Sequence, residues 1–561
     1  MAFAVAGLAA AGSGCGNGDA PMDAGTDADA APVDARVDAT DAGPTCTVMQ
    51  WAPDDGELSR WPEPDLLASD PDTGTGYRIE FDESKYPEVV AAAAGFAGVV
   101  TEDLAELDGF GVNSQSFFMF GRAFDTSMLP SGDATDDPGA GLGMAVVAPG
   151  EPRIIPVLVR TVDDDATIMM APMRPLPEQA TVVAFVTRAL TDAAGGCLEP
   201  SEAFAERLAA PEGELAGAIS ALTDLGVIES VDDLVAASAF STQTITDDSV
   251  AIAEDIAGRD YALDGAATCT DETTWVRCDA TFAANDYRGD DGAIHRNPGD
   301  TVEPTTSYSV PVTVWLPPEG TGTPPYETLV FGHGLGGDRN QAERLAEFAA
   351  PLGIATVGIP AVQHGAHPTV PADASTETIA TVLRFFALDN DVEGRDLLAL
   401  VMRDHFRQST YDKLQLTRLL EAGLDVDGDG TTDLDPDALG YLGVSLGGIM
   451  GPELLALTDA YGAGVLVVPG GRVSSIVSES ETFGPLVLGL RPARASEGDV
   501  LRFFPILQTI LDRGDAASYG PHLLADRLAG TGDVPSILVG TVLDDDTVPN
   551  VSNYALARAI G

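Results

Sequence analysis

The chain has 561 residues, of which 88 are acidic and 29 are basic, so its formal net charge at pH 7 is −59. Such a charge repels phosphate groups, which excludes nucleic acid as a partner. Apolar residues make up 45% of the chain, which is typical of a globular protein and argues against wholesale disorder. The length suggests two to four domains, and two large ones fit as well.

The first 15 residues resemble the end of a bacterial lipoprotein signal. An apolar stretch, residues 1–11, is followed by three small residues and then by Cys15, the position that is lipidated in such proteins. The resemblance implies an exported protein held at the bacterial outer membrane or cell surface by its lipid anchor alone. A short buried apolar helix is the alternative. No other stretch has 18 uninterrupted apolar residues, so no membrane-spanning helix is predicted.

Residues 16–45 form a low-complexity tract of Asp, Ala, Gly, Pro and Thr. The tract has no apolar periodicity, so it cannot bury enough surface to fold, and its like charges extend it. We predict a disordered acidic tether between the lipid anchor and the folded body.

Four cysteines remain once Cys15 is set aside, and they allow three pairings. Cys269 and Cys278 are close in sequence and are expected to close a short loop, which leaves Cys46 to pair with Cys197. Export makes disulfides plausible, and free buried thiols are the alternative.

Residues 46–307 are predicted to be a β-rich, sandwich-like domain with a helical appendage. Short β-branched runs bounded by Pro, Gly and Asp are typical of sandwich strands. These runs are residues 154–160, 167–170 and 181–188. Helical patterns follow at residues 203–208, 215–225 and 231–236.

From residue 308 to residue 561 strands alternate with helices, which predicts an α/β domain with a mostly parallel sheet and helices on both faces. The predicted strands are residues 308–316, 327–331, 354–359, 439–444, 464–468 and 536–541. The predicted helices are residues 340–350, 376–388, 396–422, 446–458, 499–512 and 551–560. An insert at about residues 470–532 carries apolar runs where a cap or lid is expected.

Residues 443–447 read Gly-Val-Ser-Leu-Gly, a G-x-S-x-G sequence between a predicted strand and a predicted helix. In this setting the sequence predicts a nucleophile elbow, a tight turn that presents the hydroxyl of Ser445. Side chains at positions 443 and 447 would clash with neighbouring backbone, which explains both glycines. The amide of Leu446 would then point at a substrate oxygen from the helix N-terminus. A glycine-rich turn with an idle serine is the alternative.

A glycine-rich loop, Gly-His-Gly-Leu-Gly-Gly at residues 332–337, follows the predicted strand 327–331. It resembles the α/β-hydrolase loop that supplies the second oxyanion donor. The resemblance implies that the amide of Leu335, next to Gly334, is this donor and that His333 supports the loop rather than transferring protons. A glycine loop with a structural histidine is the alternative.

Three consecutive aspartates, Asp544, Asp545 and Asp546, follow the last predicted strand and precede a Val-Pro pair. The acid of a hydrolase triad occupies such a strand end, after the nucleophile in chain order. The usual acid lies three residues before the valine, which selects Asp545, with its two neighbours as fallbacks. A solvated acidic loop is the alternative.

Residues 308–561 therefore resemble an α/β-hydrolase of the esterase/lipase type, through the segment 441–448 and the HGLGG loop. With the lipoprotein-like start, the whole chain resembles the bacterial virulence-factor lipase family, whose members are surface lipoproteins with a domain before the hydrolase. The resemblance implies a serine carboxylesterase that acts on small-molecule or lipid esters without a catalytic cofactor. The rival interpretation is a non-catalytic surface lipoprotein that uses the same scaffold for binding.

The resemblance requires a histidine after the acid, whereas all the histidines precede Asp545. They are His295, His333, His364, His367, His405 and His522. His522 lies between Ser445 and Asp545 and is the substitute that chain order allows. Our expectation is that the base lies beyond Gly561 and that residues 308–561 are an incomplete hydrolase domain.

Residues 425–433 have the D-x-D-x-D-G-x-x-D spacing of a calcium loop, in which alternate positions direct oxygen atoms inward. The twelfth position is Pro436, so a bidentate ligand would come from Asp435 or Asp437. A structural Ca²⁺ is predicted, and a plain acidic loop is the alternative. The predicted ligands are Asp425, Asp427, Asp429, Thr431 through its carbonyl, and Asp433.

Overall fold

The computed structural model describes residues 46–53, 56–295, 302–528, 532 and 534–561. The predicted signal, its Cys15 and the predicted tether 16–45 lie outside the described residues. Contacts group the described residues into one unit, Pro44–Gly561. Within them, no helix is long and apolar enough to cross a membrane.

The described residues contain twenty strands. They are β1 (Thr47–Val48), β2 (Arg60–Trp61), β3 (Leu67–Ser69), β4 (Tyr77–Ile79), β5 (Ser116–Met119), β6 (Leu142–Ala148), β7 (Arg153–Ile155), β8 (Val157–Val162), β9 (Thr167–Pro172), β10 (Thr181–Thr187), β11 (Leu198–Glu199), β12 (Leu234–Ser241), β13 (Thr268–Asp271), β14 (Val276–Asp286), β15 (Thr306–Leu316), β16 (Tyr326–Gly332), β17 (Ala355–Gly358), β18 (Leu434–Val444), β19 (Tyr461–Val467) and β20 (Ser536–Gly540).

Fifteen α-helices are present in the same residues. They are α1 (Pro87–Ala93), α2 (Gly98–Thr101), α3 (Glu202–Ala209), α4 (Gly213–Asp224), α5 (Asp247–Ala257), α6 (Glu343–Ala349), α7 (Thr378–Phe385), α8 (Ala399–Glu421), α9 (Leu446–Leu457), α10 (Val473–Glu479), α11 (Gly484–Leu490), α12 (Glu497–Leu511), α13 (Ala516–Tyr519), α14 (Pro521–Leu524) and α15 (Asn550–Ile560).

The largest sheet has eight strands in the order β13-β14-β15-β17-β16-β18-β19-β20. The five strands from β17 to β20 in this order run parallel, whereas β13, β14 and β15 join them through antiparallel pairs. Every strand and helix predicted from residue 308 onward is present, with ends shifted by a few residues. The mostly parallel α/β sheet is therefore confirmed.

The front of the chain forms two four-stranded antiparallel sheets, β12-β10-β6-β7 and β2-β5-β9-β8. The run predicted at residues 154–160 crosses from one sheet to the other, because β7 and β8 are separated only by Pro156. The sheets are in contact: Trp61 on β2 packs edge-to-face on Phe110, which packs in the same way on Phe240 of β12. The β-rich character predicted for this region is confirmed.

One predicted helix is wrong. Residues 231–236 form a short 3-10 turn, Val231–Asp233, followed by strand β12. The alanine-rich sequence resembles a helix, but all eight residues of β12 are buried, and the strand pairs with β10 along its length. The helices predicted at 203–208 and 215–225 are present as α3 and α4.

The predicted division at residues 307/308 is also wrong, because it cuts through one sheet. Strand β14 pairs with β15 over its whole length, so the large sheet begins before residue 308. Buried hydrogen bonds also tie the front region to the end of α12. The N–H of Asn113 donates to the Asp512 carboxylate at 3.0 Å, and the amide of Gln243 donates to the Thr509 carbonyl at 2.6 Å.

Both predicted disulfides are present. Cys269 and Cys278 face each other across the β13–β14 hairpin and are bonded. Cys46 is bonded to Cys197 where β1 pairs with β11. The second bond fastens the first described residues to the body of the protein.

Candidate active site

The carboxyl ends of β16 and β18 are adjacent in the sheet, and the chain leaves them in opposite directions. It passes from β16 to β17 on one side and from β18 to β19 on the other. Ligands of doubly wound sheets bind at such a switch point. The loop 333–337 follows β16 and Ser445 follows β18, so the fold brings both predicted motifs to this point.

Ser445 occupies the sharp turn between β18 and α9. Its φ is 52° and its ψ is −113°, a conformation that costs a residue with a Cβ atom of order 1–3 kcal/mol. Two hydrogen bonds hold it: its N–H donates to the Val467 carbonyl at 2.9 Å, and its carbonyl accepts from the N–H of Ile449 at 2.9 Å. The predicted strand–turn–helix elbow is therefore present.

The two glycines of the motif lie where backbone segments approach most closely. A Cβ atom at position 443 would lie 2.3 Å from the carbonyl oxygen of Gly447. A Cβ atom at position 447 would lie 2.2 Å from the carbonyl oxygen of Gly332. Both contacts are with backbone atoms, which cannot move aside as the end of a flexible side chain can. Only glycine therefore fits at these two positions.

The loop 333–337 lies directly against the elbow. The N–H of Gly447 donates to the His333 carbonyl at 2.9 Å. A Cβ atom built on Gly334 would be 3.6 Å from that of Ser445. Gly334 therefore lies beside Ser445 in space, and Leu335 follows Gly334 in the chain. Leu446 is the first residue of α9. The structure brings both predicted amide donors to the surroundings of Ser445.

His333 is completely buried and holds the loop in place. Its Nε2 accepts a hydrogen bond from the N–H of Ala361 at 2.9 Å, so Nδ1 carries the proton and donates to the Gly334 carbonyl at 2.9 Å. Burial, followed by the neighbouring His364, holds the pKa of His333 well below its ordinary value. With both ring nitrogens engaged, the side chain supports the loop, as the sequence predicts.

Two supporting residues were not singled out from the sequence. Tyr441, buried on β18, donates its hydroxyl to the Gly447 carbonyl at 2.6 Å. Gln341 accepts from the N–H of Gly334 at 3.3 Å. No spacing rule predicts either contact, because each joins a side chain to backbone that only the folded chain brings near.

Asp545 follows β20 and is half-buried. One carboxylate oxygen accepts from the N–H of Thr547 at 2.8 Å and from that of Val548 at 3.0 Å, which fixes the side chain. The fallback residues differ, since Asp544 and Asp546 have exposed side chains. Of the three, Asp545 has the carboxylate best positioned by the loop.

All six histidines are among the described residues, and most of them make polar contacts that occupy ring nitrogens. His367 contacts the Asp412 carboxylate at 3.0 Å, and both side chains are buried. His405 contacts the Phe385 carbonyl, and burial lowers its pKa to about 3. His295 lies at the surface beside Asp291. Each of these three side chains therefore contacts a partner other than Ser445.

His364 differs, because only one of its ring nitrogens has a partner. Nδ1 contacts the Val362 carbonyl at 2.9 Å, whereas the buried Nε2 has no hydrogen-bond partner among the described residues. Burial lowers the pKa of His364 to about 4. Its ring lies 5.2 Å from that of His333, measured between centroids. A histidine with so low a pKa is a weak base at neutral pH.

His522 lies at the wrong end of α9 to serve Ser445. Its Nδ1 contacts the Asp526 carbonyl at 2.6 Å, and the adjoining Arg527 donates to the carbonyls of Leu455 and Thr458. Those carbonyls are at the C-terminal end of α9, whereas Ser445 caps its N-terminus. Twelve helical residues span about 18 Å. The structure therefore argues against His522 as the substitute base.

The predicted calcium loop brings together some of its acidic residues. One carboxylate oxygen from each of Asp425, Asp427 and Asp433 lies within 4.8 Å of the others. Burial, and then the charges of Asp427 and Asp425, raise the pKa of Asp433. Asp429 is outside this group, and its carboxylate accepts from the N–H of Thr431 at 2.7 Å.

No family model matches the chain, and no curated protein matches it. Among solved structures, it is similar to acetyl xylan esterase from Paenibacillus sp. R4, with 17% identity over 56% of this chain and 83% of that one, at a TM-score of 0.34. Acetyl xylan esterase 1 from Thermoanaerobacterium sp. has the same identity and coverage and a TM-score of 0.36. A cold-adapted esterase from an Arctic intertidal metagenomic library is 14% identical over 50% of this chain and 90% of that one, at a TM-score of 0.23. The solved structures to which the chain is similar thus include esterases, and the assignment of the site rests on its own geometry.

Proposed function

We propose that this chain is a serine hydrolase of carboxylic esters. The observation that carries the proposal is the conformation of Ser445, held at positive φ between β18 and α9 and beside the loop 333–337. In the proposed reaction the Ser445 hydroxyl oxygen bonds to the ester carbonyl carbon, the bond from that carbon to the alkoxy oxygen breaks, and the alcohol leaves with the proton that the serine loses. Water then cleaves the acyl-serine, which releases the carboxylic acid and regenerates the hydroxyl.

The backbone would stabilise the negative charge that develops on the carbonyl oxygen. The amide of Leu446 lies at the N-terminus of α9, where the helix dipole favours negative charge. The amide of Leu335 follows the Gly334 that lies beside Ser445. A single such donor typically contributes about 10²–10³-fold to kcat.

Asp545 is the proposed acid, because two backbone N–H groups hold its carboxylate after β20. The general base is not assigned to any of the six histidines. His364 has too low a pKa, His522 is at the far end of α9, and the others are occupied by other partners.

The engagement of these histidines favours one second candidate, a non-catalytic protein that binds ligands on the same scaffold. The two candidates differ in what Ser445 does. The hydrolase gives the residue at this strained turn a role as its nucleophile, whereas the binding protein gives it none.

Hydrolysis of p-nitrophenyl butyrate tests the proposal, because its activated leaving group makes a modest demand on general-base assistance. We expect hydrolysis by the wild-type chain to exceed that by Ser445→Ala at least tenfold. Ser220→Ala, an exposed serine on α4, is the matched control and should behave as wild type. Equal rates in wild type and Ser445→Ala would favour the binding protein.

We also propose that the loop 425–433 binds a structural Ca²⁺ through Asp425, Asp427 and Asp433. Three clustered carboxylates repel one another, and a hard divalent cation would reverse that repulsion. The loop precedes β18, so a bound ion would stiffen the approach to the elbow rather than take part in the reaction.

A further inference from the structure

Strand β20 forms one edge of the large sheet, and within the described residues it pairs only with β19. An edge strand presents unpaired backbone N–H and C=O groups, to which another chain can bind unless the edge is protected. The opposite edge is protected, because β13 is short, ends at Asp271 and is joined to β14 by the Cys269–Cys278 disulfide. Residues 534–543 contain no charged side chain, and Pro535 precedes the strand. The β20 edge is therefore open to pairing.

The outer face of β20 and of its flanks exposes large apolar side chains. Leu538, at the middle of the strand, is 62% exposed. Val534 and Val542, at equal distances before and after it, are 54% and 45% exposed. Alternate residues of a strand share a face, so the small residues Ser536 and Gly540 lie between these apolar side chains. Such a row of exposed apolar groups marks an interaction surface.

The direction of the backbone groups determines which residues can pair at the open edge. The Gly540 carbonyl accepts a hydrogen bond from the N–H of Val468 at 2.7 Å, so the polar groups of Gly540 point toward β19. This direction alternates along a strand, so the groups of Leu538 also point toward β19, whereas those of Ile537 and Val539 point outward. The side chains of Ile537 and Val539 pack against the core, which fixes the strand that carries these outward groups.

Residues 534–542 have nearly the same pattern of side chains in both directions. Leu538 is the centre, and the mismatch is Pro535 with Thr541. Two identical chains related by a two-fold axis must present self-complementary surfaces, because each residue then meets its counterpart. This segment meets that requirement. Its matched pairs are Val534 with Val542, Ser536 with Gly540, and Ile537 with Val539.

We propose that two copies of this chain associate by antiparallel pairing of their β20 strands about a two-fold axis at Leu538. Ile537 of each copy would then exchange hydrogen bonds with Val539 of the other. The two Leu538 residues would form a non-hydrogen-bonded pair, in which side chains approach most closely. The two eight-stranded sheets would become one continuous sheet. The inference is independent of the proposed function, since the pairing needs no catalytic residue.

Electrostatic repulsion opposes this association and gives it a signature. Each copy has a formal net charge of −59, and Asp544, Asp545 and Asp546 follow β20. Antiparallel pairing brings this acidic loop of each copy toward the start of β20 in the other. Salt shortens the range of the repulsion from about 10 Å at 0.1 M to about 3 Å at 1 M. The backbone hydrogen bonds and apolar contacts persist, so association should strengthen as the salt concentration rises.

Analytical ultracentrifugation of the full chain tests the inference. We expect a monomer–dimer equilibrium whose Kd falls at least tenfold between about 0.1 M and about 1 M NaCl. Leu538→Lys places a charge on the axis and should raise Kd at least tenfold. Leu352→Lys, at a 75% exposed position after α6, is the matched control and should keep the wild-type Kd. A chain that stays monomeric at about 100 µM and the higher salt concentration, or an equal Kd in the two variants, would overturn the inference.

A disulfide across the axis tests the register. The Cα atoms of a non-hydrogen-bonded antiparallel pair lie about 4.5 Å apart, within the span of about 4.4–6.8 Å that disulfides bridge. In a Cys15→Ser background the remaining cysteines form two disulfides, so Leu538→Cys supplies the single free thiol. Oxidation should convert most of this variant into a covalent dimer on a non-reducing gel, whereas the more exposed Leu352→Cys should remain largely monomeric. Equal cross-linking of the two variants, or none in Leu538→Cys, would overturn the proposed pairing.

Discussion

Replacing Gly447 by alanine tests the geometry of the elbow. The added Cβ atom would lie 2.2 Å from the Gly332 carbonyl oxygen and 2.3 Å from its carbon, whereas ordinary contacts begin near 3.4 Å. The backbone of α9 and the end of β16 would therefore separate by about 1 Å, breaking the 2.9 Å bond from the Gly447 N–H to the His333 carbonyl. That movement would carry the loop 333–337 away from Ser445.

Two magnitudes follow from this displacement. Overpacking of this kind lowers the free energy of unfolding by about 1–3 kcal/mol. A misplacement of about 1 Å at a reacting centre can reduce the rate by about 10²-fold. We therefore expect Gly447→Ala to remain folded, to unfold at lower urea concentration, and to react with a fluorophosphonate about a hundredfold more slowly than wild type.

The control is Gly462→Ala, because a Cβ atom there has no atom within 4 Å and the residue is exposed on β19. Removing a glycine without strain stabilises a protein by about 0.4–1 kcal/mol, so this variant should match or exceed wild type in stability. If Gly447→Ala unfolds and reacts as the control does, the close approach of α9 to β16 is wrong.

Three further predictions concern the acid, the calcium loop and a buried carboxyl. Asp545→Asn should keep both backbone hydrogen bonds and the fold, yet slow p-nitrophenyl butyrate hydrolysis at least tenfold. Asp546→Asn is the control and should hydrolyse the ester at the wild-type rate; equal rates in the two variants would reject the assignment of Asp545. Calcium should stabilise wild type by about 2.7 kcal/mol at a hundredfold excess over Kd, measured by melting against a chelator, and should not stabilise Asp427→Asn; Asp224→Asn, at an exposed position on α4, is the control. Burial raises the pKa of Glu453 to about 7 from 4.5, so the folded state keeps a proton that the unfolded state loses, and wild-type stability falls as pH rises from 4.5 to 7. Urea titrations should show Glu453→Gln gaining on wild type by about 3 kcal/mol between pH 4 and pH 8, and a pH-independent difference would contradict this.

The elbow could be predicted from the sequence because its cause is local. The spacing of Gly443, Ser445 and Gly447 reflects steric contacts within one turn, and the strand before and helix after it have ordinary periodicity. The loop 333–337 and Asp545 could be placed for a similar reason, since each directly follows a strand of a parallel sheet.

The failures arise where distant segments decide the structure. Strand β12 resembles a helix in sequence, and its pairing with β10 decides otherwise. The burial of helix α8 could not be predicted either, because the helix is rich in charged residues, yet Asp404 is buried between Arg403 and Arg407. The predicted boundary at residue 307 is wrong because β14, which precedes it in the chain, belongs to the large sheet.

The walls of the apolar cavity lined by Val89, Phe386 and Leu507 could not be predicted from the sequence either. They combine residues near 90, 390 and 500, and no spacing rule relates positions so far apart. The apolar runs of the insert predict a lid, but nothing in the sequence relates the insert to the residues near 90.

The most direct test of the central claim, that Ser445 is a nucleophile, is the site of covalent modification by a fluorophosphonate. The folded chain would be treated with the probe, digested and analysed by mass spectrometry, with Ser445→Ala in parallel. The account predicts one phosphonylated peptide, modified at Ser445 and absent from the variant. An unmodified Ser445 in the folded chain, or equal modification of wild type and Ser445→Ala, would contradict it.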